Sequence, residues 1–136
     1  IPPATRSGWT GCMNNTEVTM HTPPTGTGFD ALDKAIQGAQ IAVALALKVP
    51  APMKSIGDQL IRAASSVPAN LAEGQGRSGR DRLHHYSIAY ASAKEVDVRL
   101  RILCLSHPAH RGNATTALQL FDDVRAMTWR LLHPRA

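Results

Sequence analysis

The chain predicts an all-α fold: an antiparallel up-down-up-down four-helix bundle over residues 29–134, preceded by a flexible N-terminal tail over residues 1–28. Three observations predict it. Apolar residues recur at three- and four-residue spacing in four separate stretches, the period of a helix with one buried face. Proline- or glycine-bearing connections separate the stretches, and short connections favour up-and-down neighbours. Aromatic residues are only 4% of the 136 residues while Ala and Leu are abundant, which suits helices packed through small side chains better than a β-sandwich.

Residues 1–28 are rich in Pro, Thr, Gly and Asn and show no sustained apolar period, hence the tail. Thr27 with Asp30 reads as a helix start. Phe29, Leu32, Ile36, Ala39, Val43 and Leu47 then form a stripe reaching about Val49, and Pro50 and Pro52 end the helix. The second helix spans Met53 to Gln75, with Ile56, Leu60, Ala63, Ala64, Val67 and Leu71 on one face. Pro68 interrupts that pattern. It lacks a backbone donor and clashes with the preceding turn, so a kink or break is expected, with Ser65 or Ser66 capping a restarted helix. Gly74 or Gly76 ends the helix in a left-handed cap. Ser78 caps the third helix, with Asp81 in the box position, and that helix runs to Ser106. Pro108, Gly112 and Asn113 mark the last connection. Ala117, Leu120, Phe121, Val124, Met127 and Leu131 define the fourth helix, which stops at Pro134.

The third helix carries two apolar faces. Leu83, Tyr86, Tyr90, Ala93, Leu100 and Cys104 lie on one. Ile88, Ala91, Val98, Ile102 and Leu105 lie roughly opposite. A bundle helix needs one wide apolar face. At about 25 cal/mol per Å², leaving five such side chains wet forgoes several kcal/mol. The second face is therefore expected to meet another subunit, unless a broad core takes both.

Fifteen Lys and Arg exceed ten Asp and Glu, for a net charge of +5, and eleven of the fifteen are arginine. The guanidinium fork suits phosphate and carboxylate. Charge alone leaves two readings open: contact with nucleic acid or an acidic partner, or a solvated surface. The two cysteines, Cys12 and Cys104, are no disulfide framework, so a reducing cytoplasm is the expected compartment. The longest apolar run, Ile41 to Leu47, is far short of a membrane span. The opening residues lack the succession of a secretory leader.

No enzyme motif is present, and no cofactor is expected. Gly74-Gln75-Gly76-Arg77-Ser78-Gly79 spells G-x-G-x-x-G, but a helix precedes it where a dinucleotide site needs a strand. Its amides could still meet a phosphate at the start of the third helix. Cys104, His107 and His110 are too few for zinc, and Cys104 is expected in the core. His84 and His85 are adjacent and do not chelate from one face. Glu73 and Glu95 are expected to be partly buried with arginine partners, in structural roles. Trp9 and Trp129 are far apart in sequence and suggest no stacking platform for single strands.

At Leu60-Ile61-Arg62-Ala63-Ala64-Ser65-Ser66-Val67-Pro68-Ala69-Asn70-Leu71-Ala72-Glu73-Gly74-Gln75-Gly76-Arg77 the chain resembles a bacterial family. These are the four-helix-bundle proteins encoded within 23S ribosomal RNA intervening sequences, with which the accessory variability determinants of diversity-generating retroelements share a fold. The family pattern is roughly I-R-R-A-A-x-S-I-P-x-N-I-A-E-G-x-G-R. The resemblance continues through Arg80-Asp81-Arg82-Leu83-His84-His85-Tyr86 to Glu95, and it covers residues 29 to 106. Arg82 and His85 stand where the family usually has aromatics, and Ala91 replaces a glycine. The resemblance implies structural roles for Pro68, Asn70, Glu73, Gly74 and Glu95, and a ring-like homo-oligomer, a pentamer. It implies a non-enzymatic accessory protein that partners a reverse transcriptase and its structured RNA, or RNA/DNA. The alternative is a protein-interaction scaffold with no direct nucleic-acid role. Arg77, Arg80 and Arg82 are the expected phosphate contacts, followed by Arg62, Arg99 and Arg101, reading backbone and shape rather than base edges.

Overall fold

The computed structural model describes residues 26–105 and 107–135. Most of the expected tail lies outside them. Four α-helices make up the described chain: α1 (Asp30–Ala46), α2 (Lys54–Gln75), α3 (Gly79–Leu103) and α4 (Arg111–Leu132), with a short 3-10 turn over Ala51–Met53. Among the described residues there is no strand. Each helix packs on two neighbours: α1 on α2 and α4, α3 on α2 and α4, with α1 and α3 barely meeting across the diagonal. The result is a four-helix bundle. No described helix is long and apolar enough to cross a membrane.

The start of α1 follows the expected pattern with one change of partner. Thr27 Oγ1 accepts from the Phe29 amide at 3.2 Å, and Asp33, not Asp30, accepts from the Thr27 amide at 2.9 Å. The core face of α1 is not the stripe of large residues. Ala31, Leu32, Ala35, Gly38, Ala42, Leu45 and Ala46 are buried, while Ile36 is 36% and Leu47 73% exposed. The physical reason is close packing. A Cβ at Gly38 would lie 2.8 Å from Phe121 Cε2, so α1 presents small residues to the fully buried Phe121 ring of α4. The displaced stripe of Ile36, Val43 and Leu47 instead lines an apolar groove with Ser65 and Pro68 of α2.

The α2 stripe holds, with Leu60, Ala63, Ala64, Val67 and Leu71 buried. The break at Pro68 does not occur: α2 is continuous through it. Proline in a helix interior costs roughly 3 kcal/mol. Burying Val67 and Leu71, both 0% exposed, returns about 1.5–3 kcal/mol each, enough to hold one helix together. Ser65 therefore caps nothing. Its Oγ donates back to the Ile61 and Arg62 carbonyls.

On α3, Tyr86, Ala89, Ala93, Val96, Leu100 and Leu103 are buried, as is Cys104 just beyond. Burial pushes the Cys104 thiol up from its ordinary range. Leu83, expected on the core face, is 41% exposed. The opposite face stays outside the single-chain core. Val98 is 55% and Ile102 52% exposed, Ala91 is exposed, and Ile88 and Leu105 are half-buried. A broad core does not take both faces. On α4 the buried face is Ala114, Ala117, Leu118, Phe121, Val124 and Thr128, with Leu131 exposed.

Candidate nucleic-acid interface

The α2–α3 corner is built on a close approach. Gly74 is buried, and a Cβ there would lie 2.7 Å from Tyr86 Cε1 and 3.2 Å from the Arg82 carbonyl. Glycine is required here for contact, not for a left-handed cap. Gly76 closes α2 with a right-handed φ of −82°, and the left-handed residue is Gly79, with φ +59°. The last carbonyls of a helix lack intrahelical donors. The Gly76 and Arg77 amides reach back to the Ala72, Glu73 and Gly74 carbonyls, and Arg82 adds donors from the next helix. Its Nε donates to the Gly74 carbonyl at 3.1 Å and the Arg77 carbonyl at 2.7 Å, and its Nη2 to the Gln75 carbonyl at 3.2 Å. A cation is also favourable at this negative end of the helix dipole.

Arg77 sits between two carboxylates. It donates from Nε and Nη2 to Glu73 Oε1 at 3.0 and 2.7 Å, and from Nη1 to Asp81 Oδ2 at 2.6 Å. Its hydrogen bonds hold the Glu73 and Asp81 carboxyls below the usual carboxylate range, and the two carboxylates raise the guanidinium in return. Asp81 is thus taken by Arg77, and Ser78 occupies the N-cap position without a side-chain cap bond. Arg80 is exposed and, among the described residues, makes no side-chain hydrogen bond or ion pair; the same is true of Arg62 on α2. Farther along α3, Arg99 donates to Glu95 at 3.3 Å and to Gln59 on α2 at 2.6 Å. Arg101 donates to Asp97 at 2.6 Å, which raises its pKa. Glu73 and Glu95 have the arginine partners expected of them but not the burial: their side chains are 50% and 46% exposed.

A polar ladder joins α2 to α3 behind the corner. Ser92 and Ser66 share a hydrogen bond of 2.9 Å. Asn70 Nδ2 donates to the Ser66 carbonyl at 2.9 Å and Oγ at 3.1 Å, while its Oδ1 lies 3.0 Å from His85 Nδ1. Because the Ser66 carbonyl can only accept, the amide orientation is set, and His85 must carry its proton on Nδ1. The two positions where the chain departs from the usual aromatics, Arg82 and His85, each have a polar partner on α2. Asn70 and Gly74 thus face α3, while Pro68 lines the groove beside α1.

A family model described as 23S rRNA-intervening sequence protein matches residues 29–130. The chain belongs to this family. No curated protein matches it.

In this family member a second basic cluster lies between α3 and α4, and the sequence reading missed it. Tyr90, Arg125, Trp129, Arg130, His133 and Arg135 line a surface cleft of about 970 Å³, with Asp122 as its one acidic side chain. One wall comes from the stretch Asp122 to Arg135, and Tyr90 of α3 closes the other side. The available signal was the run Trp129-Arg130-Leu131-Leu132-His133-Pro134-Arg135, where two aromatic rings and two arginines gather at one helix end. His107 and His110 stack on each other at 4.7 Å. Among the described residues no three His, Cys, Asp or Glu side chains are placed to hold a metal ion.

Proposed function

We propose that this chain is a non-enzymatic, cytoplasmic accessory protein whose antiparallel bundles assemble into a ring-like homo-oligomer, a pentamer. It binds structured RNA or RNA/DNA through surface arginines and partners the reverse transcriptase of a diversity-generating retroelement. One observation carries the nucleic-acid reading. Arg62, Arg80, Arg130 and Arg135 have no side-chain partner among the described residues, in a chain whose basic residues are mostly arginine. Arg77 joins them by exchanging exposed carboxylates for phosphates.

The assembly is supported by the two apolar surfaces. The Ile36–Leu47 groove wall belongs to α1, and the Val98–Ile102 face belongs to α3, diagonally across the bundle. Two different patches on opposite sides favour head-to-tail contacts, which close into rings when the rotation permits.

Filter binding of a structured RNA across salt concentrations tests the function. A steep loss of affinity with salt is expected. A flat response, or no loss when the unpartnered arginines are changed to alanine, rules it out. Light scattering tests the ring, and a monomer in dilute solution rules it out. A second reading, a protein-interaction scaffold, is favoured by the internal use of Arg77 and Arg82. It predicts a stable complex with a protein partner that survives nuclease treatment.

A further inference from the structure

We infer that the cleft between α3 and α4 holds unpaired nucleotides of a single strand, with a base stacked on Trp129 and flanking phosphates on Arg130 and Arg135. This deepens the nucleic-acid reading and rests on it. The stacking element is preformed. The Trp129 and His133 rings lie one helical turn apart with centroids 4.0 Å apart and planes 22° apart. His133 is pinned in that position, because its Nδ1 donates to the Trp129 carbonyl at 2.9 Å. The indole is nevertheless 48% exposed.

The charges around it differ in availability. Arg125 Nη2 is held by Asp122 at 2.6 Å and by Asp97 at 3.6 Å, so the one acidic group of the cleft is already neutralised. Arg125 Nε is buried without an acceptor. Arg130 and Arg135 have no side-chain partner among the described residues. Lys94 adds a further cation, with Nζ 5.9 Å from the centroid of Tyr90, another lining ring. Exposed ring faces beside guanidinium groups that have no side-chain partner among the described residues match a polymer of flat bases and phosphates. A duplex hides its bases and cannot use the rings. An acidic peptide satisfies the arginines but leaves Trp129 without a role.

The test uses the full chain carrying Trp9→Phe, so that Trp129 is the sole indole, and a fluorescein-labelled ten-nucleotide oligo(U). Binding of the unlabelled strand should quench Trp129 emission. By anisotropy, Trp129→Leu should weaken the strand about tenfold, the scale of one stacked base. Arg130→Ala with Arg135→Ala should weaken it further and reduce the slope of log K against log salt by about 1.4, the value for two phosphates on a single strand. Melting curves of both variants should match the parent. The inference fails if a duplex or polyglutamate binds as tightly as the strand, or if neither variant changes strand affinity. If the parent binds RNA and only Arg62→Ala with Arg80→Ala weakens it, the cleft is wrong and the broader reading stands. If the parent binds no nucleic acid in any form, both fail.

Discussion

The α2–α3 corner and the α3–α4 cleft each carry three arginines, yet they use them in opposite ways. At the corner, Arg82 is committed to three carbonyls and Arg77 to two carboxylates, leaving only Arg80 outward. At the cleft, only Arg125 is engaged among the described residues, and Arg130 and Arg135 stand beside exposed rings. Counting basic residues along the chain therefore does not locate a binding surface. What each guanidinium meets separates those held inside the fold from those left outward. The corner is joinery between two helices, and at the cleft two arginines keep no side-chain partner among the described residues.

The largest expected difference comes from Gly74. Gly74→Val places branched carbons where Tyr86 and the Arg82 carbonyl already sit, and overpacking of this kind costs about 1–3 kcal/mol. The midpoint should fall by at least about 4 °C in thermal unfolding, at roughly 4–8 °C per kcal/mol for a domain of this size. An unchanged midpoint would mean that the helices do not approach there as described.

Next is Arg82. Arg82→Ala removes the guanidinium bonds to the Gly74, Gln75 and Arg77 carbonyls, leaving the Gly74 carbonyl with the Arg77 amide alone, and should destabilise by about 1–2 kcal/mol, the scale of charge-assisted hydrogen bonds partly replaced by water. Arg130→Ala and Arg135→Ala should stay within about 0.5 kcal/mol, as exposed surface changes do. Equal effects at the two sites, measured by urea denaturation, would erase the contrast. Asn70→Ala should cost about 1 kcal/mol, because it removes the link between Ser66 and His85. His85→Ala made on top of it should add little, since both act through one bond.

The smallest effect is in pH. Glu73 and Asp81 have folded pKa values below their ordinary ones, so the unfolded chain takes up protons first as pH falls. Their stabilisation is full above the usual carboxylate range and disappears as pH drops through the folded values. Arg77→Ala should flatten that acid limb. An acid limb unchanged in the variant would assign the pH dependence elsewhere.

Much of the fold was legible because periodicity reports which residues share a helical face. The α2 stripe and its ending near Gly74 and Gly76 needed nothing more. The α1 stripe misled, because periodicity weights large residues while the bundle needed small ones against Phe121. Pro68 misled in the other direction: a local cost was read without the tertiary burial that outweighs it. The cleft was legible on one side only, in the run Trp129 to Arg135, for a different reason. Tyr90 is on α3 and Trp129 on α4, and no spacing rule joins two helices.

By itself the amino-acid order determined the helices, their approximate limits, the arginine bias and the second apolar face of α3, because each depends on residues within a few turns of one another. Tertiary structure alone decided which arginines are consumed and which remain available, and which faces are core. Those outcomes depend on what a neighbouring helix brings within about 3 Å, the reach of a hydrogen bond, and that distance is set by packing between segments.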